Sequence, residues 1–152
     1  MEFSVRVDGL DRIDRATDRV RRAVAEEIAK GLYASAKKVE GEAKKSILSG
    51  SKSGHVYTRR TVTHQASAPG QAPASDTGRL VNSITGTYER SEASGTIKAG
   101  GGIVKYARML EFGTARMAAR PFLFPAFERS KNWIRERLNK AVRTAVIGAV
   151  RK

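Results

Sequence analysis

The sequence predicts an α+β fold: a long N-terminal amphipathic helix and a C-terminal helix packed on a small, mainly antiparallel sheet, with a long Pro/Gly/Ser-rich loop between them. Three observations predict it. Apolar residues recur every three or four positions from Asp11 to Ser49, a second stripe of that period follows Pro125, and short strand-like runs lie between. At 152 residues the chain reads as a single domain, 1–152.

The elements follow in order. Phe3, Val5 and Val7 alternate with polar residues, the pattern of a short half-buried strand that Gly9 ends. Then Ile13, Ala16, Val20, Val24, Ile28, Leu32, Ala36, Val39, Ala43 and Ile47 form one stripe of a long helix. Asp8 or Asp11 is suited to cap its start, and Gly50 to stop it. Gly31 and Gly41 inside the stripe point to a kink or a close backbone contact.

Residues 50–75 are rich in Ser, Thr, Gly, Ala and Pro and contain no acid. So long a connection is either a flexible loop or an arm that orders on a neighbouring subunit or on DNA. Ser75 or Asp76 then offers a cap for a short helical turn that turns Leu80, Val81 and Ile84 inward. Thr85–Arg90 and Ser94–Ala99 read as two strands, and Val104–Phe112 as a short helix with Tyr106, Met109, Leu110 and Phe112 inward, ended by Gly113. Phe122 and Leu123 re-enter the core. Pro125 suits the first turn of the last helix, whose apolar face is Phe127, Ile134, Leu138, Ala141 and Ala145.

Charge sharpens the choice of function. The formal net charge is +14, and residues 125–152 carry 8 basic and 2 acidic side chains. Such a balance favours polyanions: nucleic acid or acidic protein surfaces. Arg129, Lys140 and Arg143 lie opposite the apolar face of the last helix, and Arg59 and Arg60 lie in the acid-free loop. These are the candidate DNA- or partner-facing residues. The basic helix is either a solvated face or a surface for phosphates, whose contacts would be salt-sensitive and blind to sequence. No apolar run approaches the roughly 20 residues of a membrane span, so no membrane role is expected. The chain has no Cys, which excludes disulfide and thiolate chemistry and fits synthesis in a cytoplasm.

Catalytic chemistry finds little footing. The two histidines, His55 and His64, both lie in the 50–75 segment, so no metal site is expected. No nucleophile elbow is present, and the run KAGGGIVK lacks the lysine and hydroxyl of a phosphate loop. Glu111 has no partner carboxylate nearby in sequence and is expected to be structural, paired with Arg116 or Arg120. The chain therefore reads as a non-enzyme without cofactor.

The densest stretch is YARMLEFGTARMAARPFLFPA, Tyr106–Ala126, with four aromatics and two prolines. Together with APGQAPASDTGRLVNSI (68–84) it resembles the neck, or tail-completion, family of long-tailed bacteriophages and prophages. The matching positions are Asp76, Thr77, Gly78 and Leu80; Tyr106, Ala107, Leu110, Glu111, Phe112, Gly113 and Thr114; and Arg120, Pro121, Phe122, Leu123, Pro125 and Ala126. Phe124 falls where the pattern varies, and residues 51–60 lie outside it. The resemblance implies a structural virion protein that assembles, as a homo-oligomer of six copies, into a ring joining capsid connector to tail. Its partners would be neighbouring neck and tail proteins and, non-specifically, the genomic DNA passing through. The alternative is a small basic DNA-binding protein without sequence preference.

Overall fold

The computed structural model describes residues 10–150, with side chains from 17 to 149; the strand expected at Phe3–Val7 lies outside the described residues. The element order is α1 (Leu10–Ser49), β1 (Val56–Arg59), β2 (Val62–Gln65), α2 (Arg79–Asn82), β3 (Thr85–Glu89), β4 (Ser94–Lys98), α3 (Ala107–Phe112) and α4 (Leu123–Val150). The fold is α+β, with long N- and C-terminal helices. The strands form two separate antiparallel pairs, β1–β2 and β3–β4, in place of one sheet.

α1 has 40 residues and is therefore about 60 Å long. α4 runs antiparallel to it: Arg19 and Ala23 lie beside Thr144 and Gly148, while Val39, Ala43 and Ile47 share a core with Phe122 and Ala126. Small residues let the two backbones approach. A Cβ on Gly31 would stand 2.9 Å from Leu138 Cδ2, whereas Gly41 meets nothing within 4 Å. Of the two openings in the stripe, Gly31 is the close contact. Ser35 and Ser130 are buried here, and each returns its hydroxyl to the carbonyl four residues back, Gly31 and Ala126.

The stripe is buried unequally. Ala36, Val39, Ala43 and Ile47 are at most 2% exposed, while Val20, Val24, Ile28 and Leu32 are only half-buried. The C-terminal half of α1 is thus the floor of the core, which Leu80, Val81, Ile84, Val104, Ala107 and Phe122 complete. On the α4 face Ala126, Ser130, Ala141 and Ala145 are buried and Ile134 and Leu138 half-buried, but Phe127 is 42% exposed, against expectation.

β3–β4 lies across α1. Gly86 and Gly95 are there because the helix backbone is in the way: a Cβ at Gly86 would stand 2.7 Å from Ala36 O, and one at Gly95 2.9 Å from Leu32 O. The crossing is pinned by Glu40. Its Oε2 accepts the Gly86 amide at 2.8 Å and Lys37 Nζ at 2.8 Å, and its Oε1 accepts Lys44 Nζ at 2.6 Å. The Lys37 ammonium, then that of Lys44, hold the Glu40 carboxyl down to about 2.

A carboxyl depressed in the folded chain stabilises fully above its ordinary pKa and loses that contribution as pH falls toward the folded value. Glu40→Gln should therefore cost on the order of 2 kcal/mol near pH 7, allowing for partial solvent screening, and only a small fraction of that near pH 2. Urea unfolding of wild type and variant across this range is the check. The two stability curves should converge on acidification; parallel curves would contradict the role given to Glu40.

Candidate functional site

The stretch Tyr106–Ala126 folds into a closed corner. α3 is only six residues long, Ala107–Phe112. Gly113 turns the chain with φ 76° and ψ −177°, a region essentially reserved for glycine, and its amide closes the helix on Met109 O at 2.8 Å. Thr114 and Met117 exchange backbone hydrogen bonds at 2.8 and 3.3 Å, and the Arg120 amide returns to Leu110 O at 2.7 Å. The chain then enters α4.

Glu111 makes the corner rigid. Its Oε2 accepts the amides of Phe122 and Leu123 at 2.9 and 3.0 Å, and its Oε1 accepts the amide of Phe124 at 2.8 Å. These are donors at the start of α4 that have no carbonyl within the helix to bond, at its positive end. The expected pairing of Glu111 with Arg116 or Arg120 is thus corrected: the carboxylate caps a helix that begins 12 residues later. Arg120 instead donates from Nε to Ser67 O at 3.2 Å. With the Gly70 amide on Ala119 O at 2.9 Å, this ties the corner to the 50–75 segment.

That segment carries the β1–β2 hairpin, paired from Val56↔Gln65 to Arg59↔Val62, where sequence pointed to a loop or arm without strands. Gln71 latches its base. The side-chain carbonyl accepts the Ser53 and Ala68 amides at 3.0 and 2.9 Å, while Nε2 donates to Ser53 Oγ at 2.9 Å. The Tyr57 and His64 rings meet across the strands, centroids 5.3 Å apart and tilted by 59°. The runs Val56–Thr58 and Val62–Gln65 are strand-like, but the two-residue turn between them holds no Gly or Asn; Arg60 takes the left-handed φ of 56° itself. The hairpin projects with Val56, Tyr57 and Val62 at 51, 40 and 62% exposure.

The motif residues converge from three directions. Asp76, Thr77, Gly78, Leu80, Tyr106, Leu110 and Arg120 line one cleft of about 310 Å³ under the hairpin, with Tyr57 and His64 as its outer wall. Leu80 is buried as expected, but the capping role of Ser75 or Asp76 is not observed. The position before α2 is Gly78 at φ 72°, with no side-chain cap, and Asp76 is drawn away to Arg59 at 3.1 Å. Thr77 and Thr114 are exposed, Pro121 and Pro125 half-buried, and Phe122 is 1% exposed.

The inward face assigned to α3 needs correction. Tyr106, Met109 and Phe112 are 39, 51 and 76% exposed, and Ala107 is the buried residue with Leu110 beside it. The helix begins three residues later than expected, so its phase is set by Ala107. Phe112 instead joins Phe124 and Phe127 around a second, apolar groove of about 450 Å³, floored by Val39 and Phe122 and walled by Ile97. Arg60, Arg129, Lys140 and Arg143 are exposed, and no carboxylate lies within ion-pair distance of them among the described residues.

Replacing the cap has a defined consequence. Glu111→Ala should cost about 2–3 kcal/mol by leaving three helix-end amides without their charged acceptor. Gly113→Val should cost at least as much, since a Cβ there would stand 2.8 Å from Met117 O. Equilibrium unfolding checks both, and wild-type midpoints would refute the account of the corner. Comparison with protein-family models, curated proteins and solved structures gives no match.

Proposed function

We propose that this chain is a structural virion protein of a phage neck: copies form a ring, six in number by the resemblance, that joins the capsid connector to the tail and leaves a passage for DNA. The reading rests on one observation. The three stretches that carry the resemblance, distant in sequence, form one continuous corner and line one cleft, with an exposed hairpin on its rim. Residues that serve only a lone chain's core would not leave Phe112, Phe124, Val56 and Val62 more than half exposed. Such surface is suited to neighbouring subunits and to other neck and tail proteins. The protein acts by shape and contact, with no reaction and no cofactor. No helix among the described residues is long and apolar enough to cross a membrane.

The second reading, a sequence-blind DNA-binding protein, is favoured by one feature: Arg129, Arg135, Lys140 and Arg143 along α4 have no acidic partner among the described residues. In the ring reading the same face serves DNA in transit or an acidic connector. The two readings separate genetically. A phage lacking the gene should make filled heads and full-length tails that do not join, visible by electron microscopy. Stable infectious particles from the deletion would overturn the neck reading. Tight DNA binding by the isolated chain, with log Kd rising steeply with log salt, would favour the second.

A further inference from the structure

The apolar groove matches the apolar pattern of a segment of this chain that cannot reach it. Residues 1–9, MEFSVRVDG, place Phe3, Val5 and Val7 at alternate positions, the spacing that lays three apolar side chains on one face of an extended strand. Such a segment needs an apolar surface. The groove offers one, walled by Ile97, Phe112, Phe124 and Phe127, and β4, which supplies Ile97, pairs only with β3 among the described residues. Open strand edges beside apolar pockets take up extended chains.

Geometry excludes the intramolecular solution. Phe3 lies seven residues before Leu10, where α1 starts, so it reaches about 25 Å from there even fully extended. The groove is at the other end of α1. Val39 on its floor is 29 residues along the helix, about 43 Å away. Ile97, its near wall, pairs with Gly86, which sits on Ala36, still about 39 Å from Leu10. The length of α1 exceeds the reach of the segment, so the groove within its range is that of a second copy.

We propose that residues Phe3–Val7 of one copy dock in extended form in the Ile97/Phe112/Phe124/Phe127 groove of a second copy, so that copies join head to tail. Such contacts are heterologous: each copy gives one segment and receives one, and a ring results where the rotation closes. The inference deepens the reading of the chain as a self-assembling protein and rests on that assembly, not on a place in a virion.

Two surface variants of the full chain test it. A donor variant carries Phe3→Ser, Val5→Ser and Val7→Ser; a groove variant carries Phe124→Ser and Phe127→Ser, both at exposed positions. Light scattering of the wild type should give a multimer, and each variant alone a single chain with unchanged far-UV circular dichroism. An equimolar mixture of the two should give a species of two chains and no larger. There the groove variant's intact segment fills the donor variant's intact groove, and no second contact is left to form.

Because the chain has no native cysteine, Val5→Cys in one preparation and Phe124→Cys in another should also form an intermolecular disulfide on mixing. A donor variant that keeps the wild-type mass, a mixture that stays monomeric, or absent cross-linking would overturn the docking while leaving a ring built through other surfaces intact. A strictly monomeric wild type would overturn both. Docking in a protein whose deletion spares head–tail joining would remove the neck reading alone.

Discussion

The structure depends on a single carboxylate bridging two helices that are not otherwise continuous. Glu111, in the last turn of a six-residue helix, holds the first amides of α4 at 2.8–3.0 Å. A helix N-terminus buried against a core needs acceptors for its free amides, and a charged one meets both the hydrogen-bond and the dipole requirement. The position of Glu111 fixes where α4 starts, and with it the phase of the α4 face against α1. It also fixes the loop 113–121, whose Arg120 amide and side chain reach Leu110 and Ser67. The 50–75 segment is anchored at the same place through Gly70 and Ala119.

The second constraint is closeness of backbones. Gly86 and Gly95 stand where a side chain would meet the α1 backbone, and Gly31 where one would meet the Leu138 side chain of α4, so the long helix is clasped closely by its neighbours. Glu40 supplies the polar counterpart, taking one strand amide and two ammonium groups on its two oxygens. The clasp covers only the C-terminal half of α1. Along its N-terminal half the described part of the apolar stripe is only half-buried, with α4 beside it.

That unevenness bears on assembly. A chain of this size buries a modest core, and here the core is concentrated at one end of an approximately 60 Å helix. The aromatic groove and the exposed hairpin lie near that core, while the other end of α1 extends away from it. In the proposed assembly such surface would serve contacts between copies, and the net charge of +14 disfavours indiscriminate association of the free chains.

Much of the architecture was legible from residue spacing. α1 and α4 follow from a period of 3.6 sustained over many residues, β3 and β4 from short strand-like runs on either side of a turn, and Leu80, Val81, Ile84 and Phe122 are buried as expected. The β1–β2 hairpin was not legible because its turn residue, Arg60, is not one that favours a left-handed φ. The six-residue α3 was misphased because one and a half turns do not define a face, so Ala107 turned inward and Phe112 outward. The sequence by itself determined the elements, the charge and the motif positions, because these are local properties of the chain. Only the tertiary structure decided that Glu111 caps α4, that Asp76 pairs with Arg59 and that the motifs share one cleft. Each of those is a contact between segments whose separation in space depends on the whole fold and leaves no periodic trace in the residues.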